Sequence, residues 1–329
     1  MLKPTSDRTV LLTDYAWPDL AIEQAVLDAA GLQLVAGPAK PAPPDVIEGL
    51  AAQHRPAAIM TNWAEVTARA IAACPDLQIV ARIGVGLDNI AVEAATERGI
   101  WVTNVPDYCV EEVSDHAVGM VLAWARGIVT FDREVRAGRW EPASARLRRM
   151  STLTAGVLGY GRIGRATARK LAAFGCTILA CDVGAFAGDG IAQSVGRAEL
   201  LARANVVIVH VPLTPSTHHL IDRATFARMK PGAFLVNVSR GGVVDTAAMI
   251  DALGSGRLSG AGLDVLEGEP EVPDALRARA DVIITPHVAF SSDTSLAELR
   301  QRVAEEVVRV LRGEPPAHGC NAPRQASGH

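Results

Sequence analysis

The chain has 329 residues, 49% of them apolar, and a formal net charge of −4 at pH 7. That length suits about two domains with full cores, and so small a charge implies no polyanion partner, so no nucleic acid is expected. No apolar run reaches the roughly 20 residues of a membrane span, and residues 1–10 (MLKPTSDRTV) lack the apolar core of a secretory signal.

Five cysteines, Cys74, Cys109, Cys176, Cys181 and Cys320, are scattered and odd in number. They suggest neither a disulfide framework nor a zinc knuckle. No metal and no membrane are expected, and a reduced, cytoplasmic enzyme is the simplest class.

Residues 9–14 (TVLLTD) read as a buried strand. Helical periodicity follows over 18–30 through Leu20, Ile22, Ala25, Val26 and Ala29, then a strand at 32–37 (LQLVAG). Pro38, Pro41, Pro43 and Pro44 mark a loop. The alternation continues with strands at 57–60, 79–83 and 101–104 and helices near 65–73 and 91–98. Strands this continuously apolar predict a parallel sheet covered on both faces.

Residues 110–136 predict one long helix linking two domains, with Val113, Ala117, Met120, Val121, Trp124 and Ile128 on one stripe. Residues 138–150 (GRWEPASARLRRM) read as an irregular arm whose Arg146, Arg148 and Arg149 form a solvated face. The stripe and the arm exceed what one domain needs to cover, so a twofold homodimer is expected.

Residues 154–182 carry the strongest signal. An apolar run at 155–158 leads into Gly159, Gly161 and Gly164 in the pattern G-x-G-x-x-G. An amphipathic segment follows, with Ile163, Ala166, Leu171 and Phe174 apolar and Arg162, Arg165, Arg169 and Lys170 charged. A second strand at 177–181 ends on Asp182, eighteen positions after Gly164. Strand, tight turn, helix, strand and acid together make a dinucleotide-binding unit. Gly159 lets the chain turn, Gly161 lets a pyrophosphate approach the backbone, and Gly164 lets the helix lie close to the sheet. The helix N-terminus meets the phosphates. Asp182 accepts from ribose hydroxyls and repels a 2′-phosphate, which favours NAD over NADP. This domain continues to about residue 285 with strands at 206–211, 233–238, 261–264 and 282–285, and a final helix near 293–312 folds back on the first domain.

Three strand-end segments of that domain, LVNVSRGG (235–242), LDVLEGEP (263–270) and IITPH (283–287), place an arginine, a carboxylate and a histidine in one cleft. A fourth, ARIGVGLD, stands at 81–88. The chain resembles the D-isomer-specific 2-hydroxyacid dehydrogenases over residues 79–311. The motifs that carry the resemblance are RIGVGLDNI, VTNVPDYCVEEVSDHAVGM, GYGRIG with Asp182, HVPLTPST, NVSRGGVVD, GLDVLEGEP and TPHVA. VPDYCVEEVSDH leans toward the branch of phosphoglycerate dehydrogenase and the C-terminal-binding-protein corepressors. One departure is the arm, which reads RLRRMSTLTAG in place of the usual E-L-x-G-K-T run.

The resemblance implies an α/β protein of two Rossmann-like domains. A flavodoxin-like substrate-binding domain (1–104 and 288–329) would hold a doubly wound NAD-binding domain (105–287) inserted in it. By position, Arg240 holds the substrate carboxylate and carbonyl, Glu269 pairs with the catalytic histidine, and His287 is the general acid/base; Glu267 competes locally, and the EP context decides for Glu269. Backbone amides around Gly84, Val85 and Gly86 grip the substrate carboxylate. Gly159, Gly161, Arg162, Ile163, Gly164 and Asp182 bind the cofactor, and His210, Val211 and Pro212 line its adenosine side. Thr217 meets the pyrophosphate region, while Val238, Ser239, Arg240, Asp264 and His287 border the nicotinamide end. His116 stands on the substrate side of the long helix.

The implied reaction is reversible hydride transfer between NADH and a small 2-oxo acid. Two other readings remain open: a phosphite or phosphonate-linked dehydrogenase, and an NADH-sensing, corepressor-like binding protein with little turnover.

Overall fold

The computed structural model describes residues 8–184, 186 and 189–323. Residues 1–7, part of the stretch read for a signal core, and residues 324–329 of the C-terminal segment lie outside the described residues. The chain divides into two compact units, Met1–Tyr108 with Ser292–His329, and Cys109–Ser291. Both joints fall four residues later than the sequence reading placed them, at 108 against 104 and at 291 against 287.

The first unit alternates β1 (Thr9–Leu12), α1 (Ala21–Ala29), β2 (Gln33–Ala36), α2 (Pro44–His54), β3 (Ala58–Thr61), α3 (Ala68–Ala72), β4 (Ile79–Arg82), α4 (Val92–Glu97) and β5 (Trp101–Thr103). Its sheet is parallel in the order β2-β1-β3-β4-β5, which is the flavodoxin-like order. Leu11, Ile59, Val80 and Val102 are fully buried in its core. The prolines at 38, 41, 43 and 44 predict a loop, yet α2 starts among them. Pro44 opens the helix instead, at a position where its missing N–H costs nothing and its fixed φ suits the first turn. Ile47 and Ala51 then face inward.

The C-terminal helix (Asp293–Leu311) belongs to this first unit and packs on α1. The contact is partly ionic. Arg300 Nε and Nη2 donate to Glu23 Oε1 and Oε2 at 2.8 and 2.7 Å, and Glu23 is fully buried. Arg300 also lies over the Trp17 ring at 5.2 Å. The inward face of α1 is therefore Glu23 and Leu27, while Ala25 and Ala29 of the predicted apolar set are exposed.

The second unit begins with α5 (Val110–Arg126) and α6 (Ile128–Arg136). Its sheet region is β6 (Thr154–Leu158), α7 (Arg162–Ala173), β7 (Thr177–Cys181), β8 (Ala192–Ser194), α8 (Arg197–Arg203), β9 (Val206–Val209), α9 (Arg223–Arg228), β10 (Ala233–Asn237), α10 (Thr246–Gly254), β11 (Leu258–Leu263), α11 (Asp274–Arg277) and β12 (Val282–Ile284). The seven strands are parallel in the order β12-β11-β10-β9-β6-β7-β8. Counted within the unit this is 3-2-1-4-5-6 plus one further strand, the doubly wound order. Its switch point lies between β6 and β9, beyond whose carboxyl ends a ligand binds.

The predicted long helix is two helices. Gly127 adopts φ 63° and caps α5 by donating to Ala123 O and Trp124 O, a left-handed ending that glycine takes without strain. Val113, Ala117, Met120 and Val121 are buried, and Trp124 stacks on Phe234 at 4.7 Å. The unit thus covers this stripe with its own sheet and helices, and the stripe supplies no surplus for a dimer. Ile128, beyond the break, is 57% exposed. In the arm, Arg148 is half-buried with its guanidinium 4.2 Å over Trp124, whereas Arg146 and Arg149 are exposed as expected.

Breaking a buried ion pair leaves an uncompensated charge. Arg300→Ala should therefore cost about 3–5 kcal/mol in urea unfolding of the full chain. The pair Glu23→Leu with Arg300→Met should recover most of the loss. A change in Arg300→Ala below about 1 kcal/mol would show that the pair does not hold the terminal helix.

Candidate active site

The glycine turn is set by backbone crowding at the switch point. Gly159 has φ 90°, and a Cβ there would lie 2.5 Å from the His210 carbonyl oxygen. A Cβ on Gly164 would lie 2.1 Å from the Gly159 carbonyl oxygen. Any side chain would push β6 off β9 in the first case and lift α7 off the turn in the second. A Cβ on Gly161, by contrast, would meet nothing within 4 Å. This open cradle lies at the N-terminus of a 12-residue helix, whose unpaired N–H groups and dipole suit an anion.

Arg162 and Ile163 form the helix's first positions, Arg162 exposed and Ile163 half-buried. Asp182 is exposed beyond β7. Its Oδ2 accepts the Tyr160 N–H at 2.6 Å and its Oδ1 the Val183 N–H at 2.7 Å, so the carboxylate is fixed beside the glycine turn. The sequence reading passed over Tyr160, whose ring stacks on Phe186 at 4.5 Å and whose hydroxyl donates to Asp189 at 2.7 Å.

The segment after β9 packs against this turn. His210 Nε2 lies 2.9 Å from Thr167 Oγ1, so its ring faces α7. Burial pushes the imidazole down to about 4, which keeps it neutral near pH 7. Val211 is half-buried and Pro212 exposed at the strand end. The Thr217 hydroxyl donates to Pro212 O at 2.6 Å and accepts the Thr214 N–H at 2.8 Å. It shapes its own loop.

Beyond β10, β11 and β12 the structure brings Arg240, Glu269 and His287 together. Val238 is buried. The Ser239 hydroxyl donates to Asn237 Oδ1 at 2.9 Å, and Asn237 Nδ2 donates to Arg240 O at 3.0 Å. Asn237 is 1% exposed; a polar residue closing an apolar strand was the available signal for it. Gly241 fits because a Cβ there would lie 2.0 Å from the Leu266 carbonyl carbon. The loop after β10 is thus pressed against the loop after β11.

In that second loop the two glutamates part. Glu267 Oε1 lies 2.7 Å from His219 Nε2, while Glu269 Oε1 lies 2.6 Å from His287 Nδ1. Glu269 Oε2 accepts the Leu266 N–H at 3.1 Å. Burial works against the charge on Glu269, but His287, the Leu266 N–H and the Arg240 charge outweigh it and hold its carboxyl below the ordinary range. An ionised carboxylate accepts only, so the proton between the pair sits on His287 Nδ1.

His287 has φ 53°, uncommon outside glycine and characteristic of functional sites. Its N–H donates to Asp264 O at 2.8 Å. Asp264 is 2% exposed. Its Oδ1 accepts from the Thr285 hydroxyl at 2.6 Å and the Val288 N–H at 3.0 Å, and its Oδ2 from the Ala289 N–H at 2.9 Å. Asp264, expected beside the cofactor, grips the turn that carries His287. His116 Nε2 lies 2.9 Å from Thr285 Oγ1 and 3.6 Å from Asp264 Oδ1, so it joins the same support.

Gly84, Val85 and Gly86 lie in the first unit, after β4. The carbonyls of Gly84 and Val85 accept from the Val105 N–H at 3.0 Å and Asn104 Nδ2 at 2.7 Å.

A profile of the D-isomer specific 2-hydroxyacid dehydrogenase NAD binding domain matches residues 118–289. D-3-phosphoglycerate dehydrogenase of Mycobacterium leprae is 40% identical over 277 residues, 82% of this chain and 52% of that protein. This chain therefore spans about half the length of the first curated relatives it matches. Glyoxylate reductase of Korarchaeum cryptofilum is 40% identical over 264 residues, 78% of this chain and 80% of that protein. The crystal structure of D-lactate dehydrogenase from Aquifex aeolicus, complexed with NAD and lactic acid, aligns with a TM-score of 0.81 at 28% identity, covering 93% of this chain and 96% of the other. The second unit is an NAD-binding domain, and its open cradle at Gly161, helix N-terminus and Asp182 carboxylate fit that cofactor.

The half-buried His210 ring, held against Thr167, gives a pH test of this geometry. The unfolded chain takes up a proton near pH 6.5, whereas the folded ring resists it until about pH 4. Acid therefore favours unfolding through that window, by about 1.4 kcal/mol per pH unit. Between pH 6.5 and 5 the unaltered protein should lose about 2 kcal/mol more stability than His210→Gln in urea titrations. Parallel losses in the two proteins would place the histidine in water instead.

Proposed function

The chain belongs to the D-isomer-specific 2-hydroxyacid dehydrogenases, and from that membership we propose that it reversibly reduces a small 2-oxo acid to the D-2-hydroxy acid with NADH. The observation that carries the proposal is the 2.6 Å contact of His287 Nδ1 with Glu269 Oε1, made beside the Arg240 charge.

Bound NADH supplies the hydride that the carbonyl carbon accepts. As the carbonyl oxygen gains charge, the Arg240 guanidinium stabilises it; its forked donors suit a planar carboxylate and a neighbouring oxygen. His287 Nε2 delivers the proton to that oxygen. Glu269 fixes the tautomer that makes this possible and stabilises the charged ring. Asp264, Thr285 and His116 position the histidine. We assign the turn at residues 84–86 to the substrate carboxylate. Its support is that no described residue accepts from its N–H groups, while the Gly84 and Val85 carbonyls are held by Val105 and Asn104.

Asp182 supports NAD over NADP, since its fixed charge repels a 2′-phosphate. A cytoplasmic setting is supported by five free cysteines. Among the described residues no helix is long and apolar enough to cross a membrane.

The test is turnover of purified protein with NADH or NADPH and a panel of 2-oxo acids. NADH should be preferred, and Asp182→Ala should narrow the preference. His287→Ala should lose about 10²–10⁴-fold in reduction while binding NADH normally. Near-normal turnover in His287→Ala would remove the mechanism.

We also assign the protein a homodimeric state. Its support now comes from α6 and the arm, where Ile128, Val135, Trp140 and Leu147 are 57%, 48%, 79% and 42% exposed and α6 buries no residue. A twofold interface would cover that face. Light scattering at micromolar concentration should give a two-chain mass, reduced to one chain by Trp140→Asp. A one-chain mass for the unaltered protein would contradict the assignment.

A further inference from the structure

A second cluster of ionisable side chains lies outside the proton-transfer pair. His218 and His219 follow β9, and Glu267 follows β11. The two imidazoles stack with centroids 4.0 Å apart. His219 Nε2 lies 2.7 Å from Glu267 Oε1, and one ligand atom from each of the three residues falls within 4.8 Å of the others. A plain ion pair accounts for His219 and Glu267 but leaves His218 without a reason to stand exposed against its neighbour.

We propose that His218, His219 and Glu267 form a binding site for a divalent d-block cation of the Zn²⁺ type. Two imidazoles and one carboxylate are the donor set of open three-ligand zinc sites, with water completing the tetrahedron. Imidazole selects Zn²⁺, Ni²⁺ and Cu²⁺ over Mg²⁺ and Ca²⁺, which prefer oxygen. The ion takes the place of the proton shared by His219 and Glu267. With metal bonds near 2.0–2.1 Å, the nitrogen and oxygen move apart to roughly 3.3 Å. The side chains of His219 and Glu267 are 35% and 38% exposed, so this needs a small rotation at the surface and no change in the core. An ion held there ties the loop after β9 to the loop that carries Glu269.

The probe is Zn²⁺, titrated by calorimetry into untagged, reduced and chelator-treated protein. A Cys320→Ser background removes the exposed thiol near His318 as a competing ligand. One ion per chain should bind saturably at micromolar concentration, while Mg²⁺ gives no heat. His218→Ala and Glu267→Gln should each weaken Zn²⁺ binding at least about fivefold, with unchanged circular dichroism. Co²⁺ provides an independent readout: visible d–d absorption typical of four-coordination should appear with the parent and vanish with His218→Ala. No saturable uptake, a smaller weakening in either variant, or Co²⁺ bands that survive His218→Ala would overturn the site.

Discussion

The carboxylate of Asp264 is the constraint on which the candidate site depends. It is buried at the end of β11, and both oxygens accept from the segment that follows β12, through Thr285, Val288 and Ala289. A buried charge without these donors would be costly. A non-glycine residue at φ 53° carries about 1–3 kcal/mol of strain. Each offsets the other: the turn supplies the donors the carboxylate needs, and the carboxylate holds the turn in the conformation that aims His287 at Glu269. Hydrogen bonds to charged groups contribute about 1.5–3 kcal/mol each, enough to hold the strained residue.

The same logic of crowding operates along the rest of the sheet edge. Gly159 lies against His210, Gly164 against Gly159, and Gly241 against Leu266, each at a distance that a Cβ would not allow. The loops after β6 and β9 are therefore interlocked, as are those after β10 and β11, and the His219 N–H donates to Gly242 O at 2.9 Å to join the two pairs. The cofactor cradle and the Arg240–Glu269–His287 group are parts of one rigid rim. Rigidity of this kind suits a site that must hold a donor and an acceptor in fixed register.

What the sequence made legible was whatever one residue or one period decides locally. Continuous apolar strands announced parallel sheets, and the glycine turn declared itself because steric exclusion acts residue by residue. Errors arose where a local signal was outvoted by the fold. Prolines read as loop at 43 and 44 begin a helix, because Ile47 and Ala51 can be buried behind them. Helical periodicity ran on through Gly127, although a left-handed residue ends the helix there. Glu23 and Arg300 form a buried pair separated by 277 positions, which no local period reveals. The strand-end place of Asp264 is visible in the chain, but its hold on Thr285, Val288 and Ala289 is not. His219 and Glu267 stand 48 positions apart, beyond any spacing rule.

The central claim is that Glu269 acts through His287, as one unit for proton transfer. A double-mutant cycle on kcat/KM for oxo-acid reduction tests it most directly, using Glu269→Gln, His287→Ala and the combined variant. Groups that act as a unit are strongly non-additive. The combined variant should therefore be no slower than His287→Ala alone. Losses that multiply across the two substitutions would mean that Glu269 works independently of the histidine, and would contradict the account.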